Sequence, residues 1–161
     1  MTAQPVTAVI GLGNPLLTDD GVGLVLLEHL RRERWLDVEM VDGGTWGLSL
    51  LPVLADCDRV LVLDAVRSGS EPGTVVQGSG GDVPRLYRFP LSPHQIDLSE
   101  VMAAAEITGG LPETIWVIGV EPASTEGPCL DLSEPVAQAV PLALATARAV
   151  LTGWGAACAG D

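Results

Sequence analysis

The stretch VIGLGNPLLTDDGVGL, Val9 to Leu24, decides how the rest of the chain is read. It passes from an apolar, strand-like segment through two spaced glycines into two adjacent aspartates, and then into a helical apolar pattern. Gly11 and Gly13 supply the first two positions of a GxGxxG phosphate loop, but Leu16 stands at the third and Pro15 removes a backbone donor. Asp19 and Asp20 at a helix start would repel a pyrophosphate from the place that should attract it. The loop is therefore not read as a nucleotide cradle, and no nucleotide cofactor is expected. Gly11 and Gly13 let the chain turn off the first strand, Thr18 or Asp19 caps the helix, and the turn presents Asp20 to a cleft.

Working outward, strands are expected at Val6–Leu12, Val38–Val41, Arg59–Val66, Thr74–Gln77, Arg85–Phe89 and Thr114–Val120. The apolar run RVLVLDAV marks Arg59–Val66 as central. Helices are expected over Asp20–Arg34, Leu48–Ala55, Ile96–Ile107 and Ser133–Leu151. Asp97 and Glu100 have capping-box spacing, and Pro141 should kink or split the last helix. Gly78–Asp82 reads as a glycine-rich surface turn, and the Gly/Ala-rich tail from Thr152 is expected to fray. Alternating strands and helices predict one α/β domain over residues 1–161, with a mostly parallel sheet covered on both faces. Ligands of such sheets bind beyond the carboxyl ends of the strands. The acid-bearing turns at Asp19–Asp20, Asp42 and Asp64 would meet there.

Composition narrows the function. The 161 residues carry a net charge of −13, and all eight basic residues are arginine. Nucleic acid and anionic membranes are unsuitable partners. Three cysteines without a CxxC pair fit a reducing compartment, and no signal peptide or membrane span is read, so a cytoplasmic location is expected. A small acidic domain with one exposed site is expected to be a monomer. Neither GxSxG nor HExxH occurs.

Asp20, Asp64 and His94 form a donor set suited to nickel, zinc or manganese, with coordination positions left open. By residue type alone, the same three also read as a helix cap, a loop anchor and a structural histidine. What gathers them is a resemblance. GLGNPLLTDDGVG, DGGTWG, VLDAV and SPHQIDL, in this order from about Val6 to Val150, resemble the nickel–iron hydrogenase maturation proteases. The resemblance implies a three-layer α/β/α sandwich with a twisted mixed sheet. It implies an endopeptidase that trims the C-terminus of a hydrogenase large-subunit precursor after nickel insertion. Asp20, Asp64 and His94 would then contact nickel carried by the substrate, and the turn Asp42, Gly43, Gly44 and Thr45 would take part in substrate recognition. Two rivals share features with the chain. A docking module that senses nickel without cutting would keep the same residues. Peptidyl-tRNA hydrolases share a GLGNPG-like opening, but need a basic surface and a nearby histidine that this chain lacks.

Overall fold

The computed structural model describes residues 4–92 and 95–160. Five strands form one sheet in the order β2-β1-β3-β5-β4: β1 is Thr7–Leu12, β2 Val38–Gly44, β3 Arg59–Ala65, β4 Val75–Ser79 and β5 Thr114–Val120. The first four positions in that order pair in parallel, and β4 closes one edge antiparallel to β5. Helices α1 (Val22–Arg32) and α5 (Glu134–Gly153) cover one face of the sheet. Helices α2 (Leu51–Ala55), α3 (Val83–Leu86) and α4 (Leu98–Thr108) cover the other. The expected α/β/α sandwich with a mostly parallel mixed sheet is the fold.

The period of two in the central strands builds both cores at once. Leu61 and Leu63 of β3 pack towards α1 and α5, while Val60 and Val62 pack towards the opposite helices. Because β3 is buried on both faces, it reads as an unbroken apolar run rather than an alternating one. Helix α1 buries Val22, Leu26, Leu27 and Leu30, the stripe that its 3.6-residue period lays down. Its first turn sits hard against the sheet at Gly23, where a β-carbon would lie 2.3 Å from the Leu63 carbonyl oxygen and 2.4 Å from that of Leu12. Helix α4 begins as its sequence predicts. Asp97 accepts the Glu100 amide at 3.1 Å, and the Glu100 carboxylate accepts the Asp97 amide at 3.1 Å.

Several expectations are corrected. The first helix is preceded by a 3-10 turn, Thr18–Gly21, and neither Thr18 nor Asp19 caps it. The segment expected as a strand at Arg85–Phe89 begins within the short helix α3; Pro84 favours a helical first turn there, and Val83 anchors it in the core. Only Phe89 makes a strand-like bridge, with Arg67. Pro141 does not split α5, because it faces solvent together with Ala137, whose carbonyl loses its helical partner and is open to water. The tail does not fray at Thr152. Leu36 donates its amide to the Ala157 carbonyl at 2.8 Å, Ala159 donates to Arg34 at 2.9 Å, and Arg59 donates to the Trp154 carbonyl at 2.8 Å. Small side chains hide such backbone pairing from a reading of composition. Helix α5 is long and apolar enough to cross a membrane, but Val136, Ala139, Ala143, Ala147 and Leu151 bury its apolar stripe against the sheet layer.

Candidate active site

The parallel register brings the carboxyl ends of four strands to one edge. Leu12 pairs with Gly44, Gly11 with Leu63, and Ala65 with Val120. Asp64 is the penultimate residue of β3, and the Asp20 turn follows β1 directly.

Asp20 is held by glycine geometry and by one amide. Gly13 has φ +122°, and a β-carbon there would stand 1.8 Å from the Asp20 carbonyl oxygen. The chain doubles back so tightly that only a residue without a side chain fits. Gly13 also donates its amide to the Gly44 carbonyl at 2.8 Å, tying the turn to the end of β2. Asn14 donates its amide to Asp20 Oδ2 at 2.9 Å. The other oxygen, Oδ1, is buried and has no hydrogen-bond partner among the described residues. Asp20 is only 2% exposed. Burial pushes its carboxyl above the ordinary carboxylate range, and the Asn14 amide offsets part of that. Native proteins pair nearly all buried polar atoms, so a bare carboxylate oxygen marks a place for a ligand.

Asp64 is also buried, but both its oxygens are engaged. Oδ1 accepts its neighbour's amide, from Ala65, at 2.9 Å. Oδ2 accepts the Tyr87 hydroxyl at 2.8 Å. Burial pushes the Asp64 carboxyl up to about 7; the Tyr87 hydroxyl opposes this, and the negative charges of Asp20 and Asp97 add to it. Burial and Asp64 together hold the Tyr87 phenol well above its ordinary value, so it stays a hydrogen-bond donor. Asp64 and Tyr87 line a cleft with Gly44, Thr45, Phe89 and Asp97. Asp20 is not part of that lining, but its negative charge is felt at Asp64.

The structure therefore brings together Asp20, Asp64, Gly44 and Thr45. Gly43 is buried under the cleft, and Asp42 is exposed, opposite Gly11 in the register. His94 lies outside the described residues. Among the described residues no cluster of three metal-type side chains occurs. Two buried carboxylates, one with an unclaimed oxygen, leave a negative site that a divalent cation of borderline hardness would suit. Reasoning from sequence missed Tyr87, although it is the only tyrosine in a chain with 4% aromatic residues. Glu121 was missed as well. It is buried at the end of β5 and accepts the Ser68 amide at 2.8 Å and the Ser68 hydroxyl at 2.9 Å, which anchors the loop after β3.

The fold and the site define an α/β/α protein whose acid-lined cleft opens at the carboxyl edge of its parallel strands. Residues 25–150 match the hydrogenase maturation protease family model. The hydrogenase 2 maturation protease of Escherichia coli is 37% identical over 146 residues, which span 89% of this chain and 88% of that protein. The hydrogenase expression/formation protein HupD of Rhizobium leguminosarum bv. viciae is 37% identical over 95% of this chain and 77% of its own length. The structure of the E. coli hydrogenase maturating endopeptidase HybD superposes with a TM-score of 0.83 at 36% identity, covering 93% of this chain and 94% of that one. A hydrogenase maturation protease from Thermococcus kodakarensis superposes with a TM-score of 0.69 at 26% identity, covering 91% and 93%. The chain belongs to the hydrogenase maturation protease family and is a hydrogenase maturation endopeptidase. The readings as a tRNA esterase or a docking module without activity are set aside.

Proposed function

We propose that the protein removes the C-terminal extension of a nickel–iron hydrogenase large-subunit precursor after nickel has been inserted. Asp20, Asp64 and His94 contact the nickel carried by that substrate. The observation that carries this reading is Asp20 Oδ1, a buried oxygen without a partner among the described residues, on a carboxylate whose charge disfavours the ionisation of Asp64 further. Such a pair is strained without a cation and relieved by one. Arriving nickel favours the ionised form of Asp64 and takes up the idle oxygen of Asp20, so positive charge on the substrate completes the site. Substrate-borne nickel would also polarise a scissile carbonyl near it. Asp64, held ionised by the nickel, is the carboxylate suited to accept a proton from the attacking water.

The turn Asp42–Thr45 recognises the precursor beside the cleft. The exposed Trp46, Leu48, Phe89 and Ile96 flank that opening and supply apolar contact for the segment being cut. A cytoplasmic, monomeric enzyme fits the reading, and no disulfide joins the described residues. The test is processing of nickel-loaded precursor by Asp20→Asn and His94→Ala, each first shown to be folded by circular dichroism. Each is expected to lose processing by about a hundredfold or more. Parental rates from either variant would remove that residue from the site.

A further inference from the structure

Asp19 and Asp20 are neighbours with opposite surroundings. Asp19 is fully buried and its carboxylate is saturated. Oδ1 accepts the Ser133 amide at 2.7 Å. Oδ2 accepts the amides of Ala123 at 2.8 Å and Ser124 at 3.0 Å, and the Ser133 hydroxyl at 2.8 Å. All four donors belong to the connection between β5 and α5. The backbone on either side is joined to the same connection. Thr18 donates its amide to Cys129 at 2.9 Å, Asp19 donates to Ser124 at 3.1 Å, and Cys129 donates to Leu16 at 2.8 Å. The Thr18 hydroxyl donates to the Glu126 carbonyl. Thr18 itself holds φ +48°, a conformation that an unanchored threonine would leave.

We infer that Asp19 is a positioning residue: it clamps the turn that carries Asp20 to the β5–α5 connection, and so fixes where Asp20 Oδ1 points. A helix cap would need only one or two donors from its own helix, and Asp19 receives none from α1. A carboxylate with four donors, three of them backbone amides, tolerates no isosteric amide, because the –NH₂ of an asparagine would face at least one N–H. Asp20 is the next residue along, and it makes a single side-chain hydrogen bond of its own, from Asn14. The clamp therefore supplies the rigidity that Asp20 lacks. Misplacing a reacting group by about 1 Å can cost about a hundredfold in rate.

This inference rests on the proposed function for its kinetic readout only. The direct readout is hydrogen exchange of the Asn14 amide, which reports whether the Asp20 carboxylate is in place. It is expressed relative to exchange of the Val62 amide in β3, so that a general loss of stability cancels. In Asp19→Asn and Ser133→Ala the ratio should rise by about tenfold or more, while Ser133→Thr, which keeps the hydroxyl, should leave it near parental. With nickel-loaded precursor, kcat should fall by about a hundredfold in Asp19→Asn and by about fivefold in Ser133→Ala, with KM changed less than about threefold. If Asp19→Asn fails to fold, Ser133→Ala with its threonine rescue decides the matter. A parental exchange ratio in Ser133→Ala overturns the inference. A raised ratio, alongside a parental protein that cuts no precursor, upholds the clamp and overturns the proposed function.

Discussion

Asp64→Asn should give a protein that is inert as a protease yet more stable than its parent above neutral pH. The parental carboxyl sits at about 7 in the native state against an ordinary value of 3.8. Between those values the folded chain holds a proton that the unfolded chain releases, so the contribution of this group to parental stability is full below about pH 4 and is lost as pH rises towards 7. Just over three units at about 1.4 kcal/mol each set an upper bound of about 4 kcal/mol on that loss. Asparagine cannot ionise, so it avoids the loss. It retains an oxygen for the Ala65 amide, and its amide group can donate to the Tyr87 hydroxyl. Urea unfolding should show the variant about 2 kcal/mol more stable at pH 8, with a much smaller difference at pH 4. Processing should drop by about a thousandfold, since the variant loses the charge that answers the cation and the group that takes the proton. Gain of stability with loss of activity marks a residue kept for function. An inactive variant that is less stable than its parent at pH 8 would instead mark Asp64 as an ordinary structural anchor.

Gly13→Ala should be the most damaging single change outside the acids. The added β-carbon would stand 1.8 Å from the Asp20 carbonyl oxygen, far inside contact distance, at a backbone φ of +122° that side chains disfavour. The obstacle is backbone, which cannot swing aside as a flexible side chain would. A cost of about 4 kcal/mol or more is expected, lowering Tm by roughly 10 °C. The relief available is a shift of the Asp20 turn, so activity should disappear even where the variant remains folded. Gly81→Ala is the matched control: its β-carbon would meet nothing within 4 Å, and Tm and processing should stay parental. Equal effects from the two substitutions would contradict the tight-turn account.

Much of this architecture was legible because local and global signals agree. Between Arg59 and Asp64, RVLVLDAV has only apolar residues, which announces a strand buried on both sides. Asp97 and Glu100 carry their capping box in plain spacing. Other features depend on partners far along the chain. Asp19 looks like a cap because aspartates before helices usually are. Its donors at Ala123, Ser124 and Ser133 lie more than a hundred positions away. Arg85–Phe89 reads by residue type as a short strand, yet a proline and a buried valine just before it start a helix. Pro141 survives in α5 because of the face it occupies, which periodicity could have suggested. Asp20 and Asp64 were visible as candidates by order and spacing. The idle oxygen on one and the phenol on the other are properties of the folded cleft alone.

The central claim is that substrate-borne nickel completes this site. The most direct measurement incubates the protein with nickel-loaded and with nickel-free large-subunit precursor and follows each by intact mass. Loss of the C-terminal peptide from the nickel-loaded precursor alone is the predicted result. Equal cutting of the nickel-free precursor would contradict it, because a site that needs no cation from its substrate would have no use for the bare oxygen of Asp20.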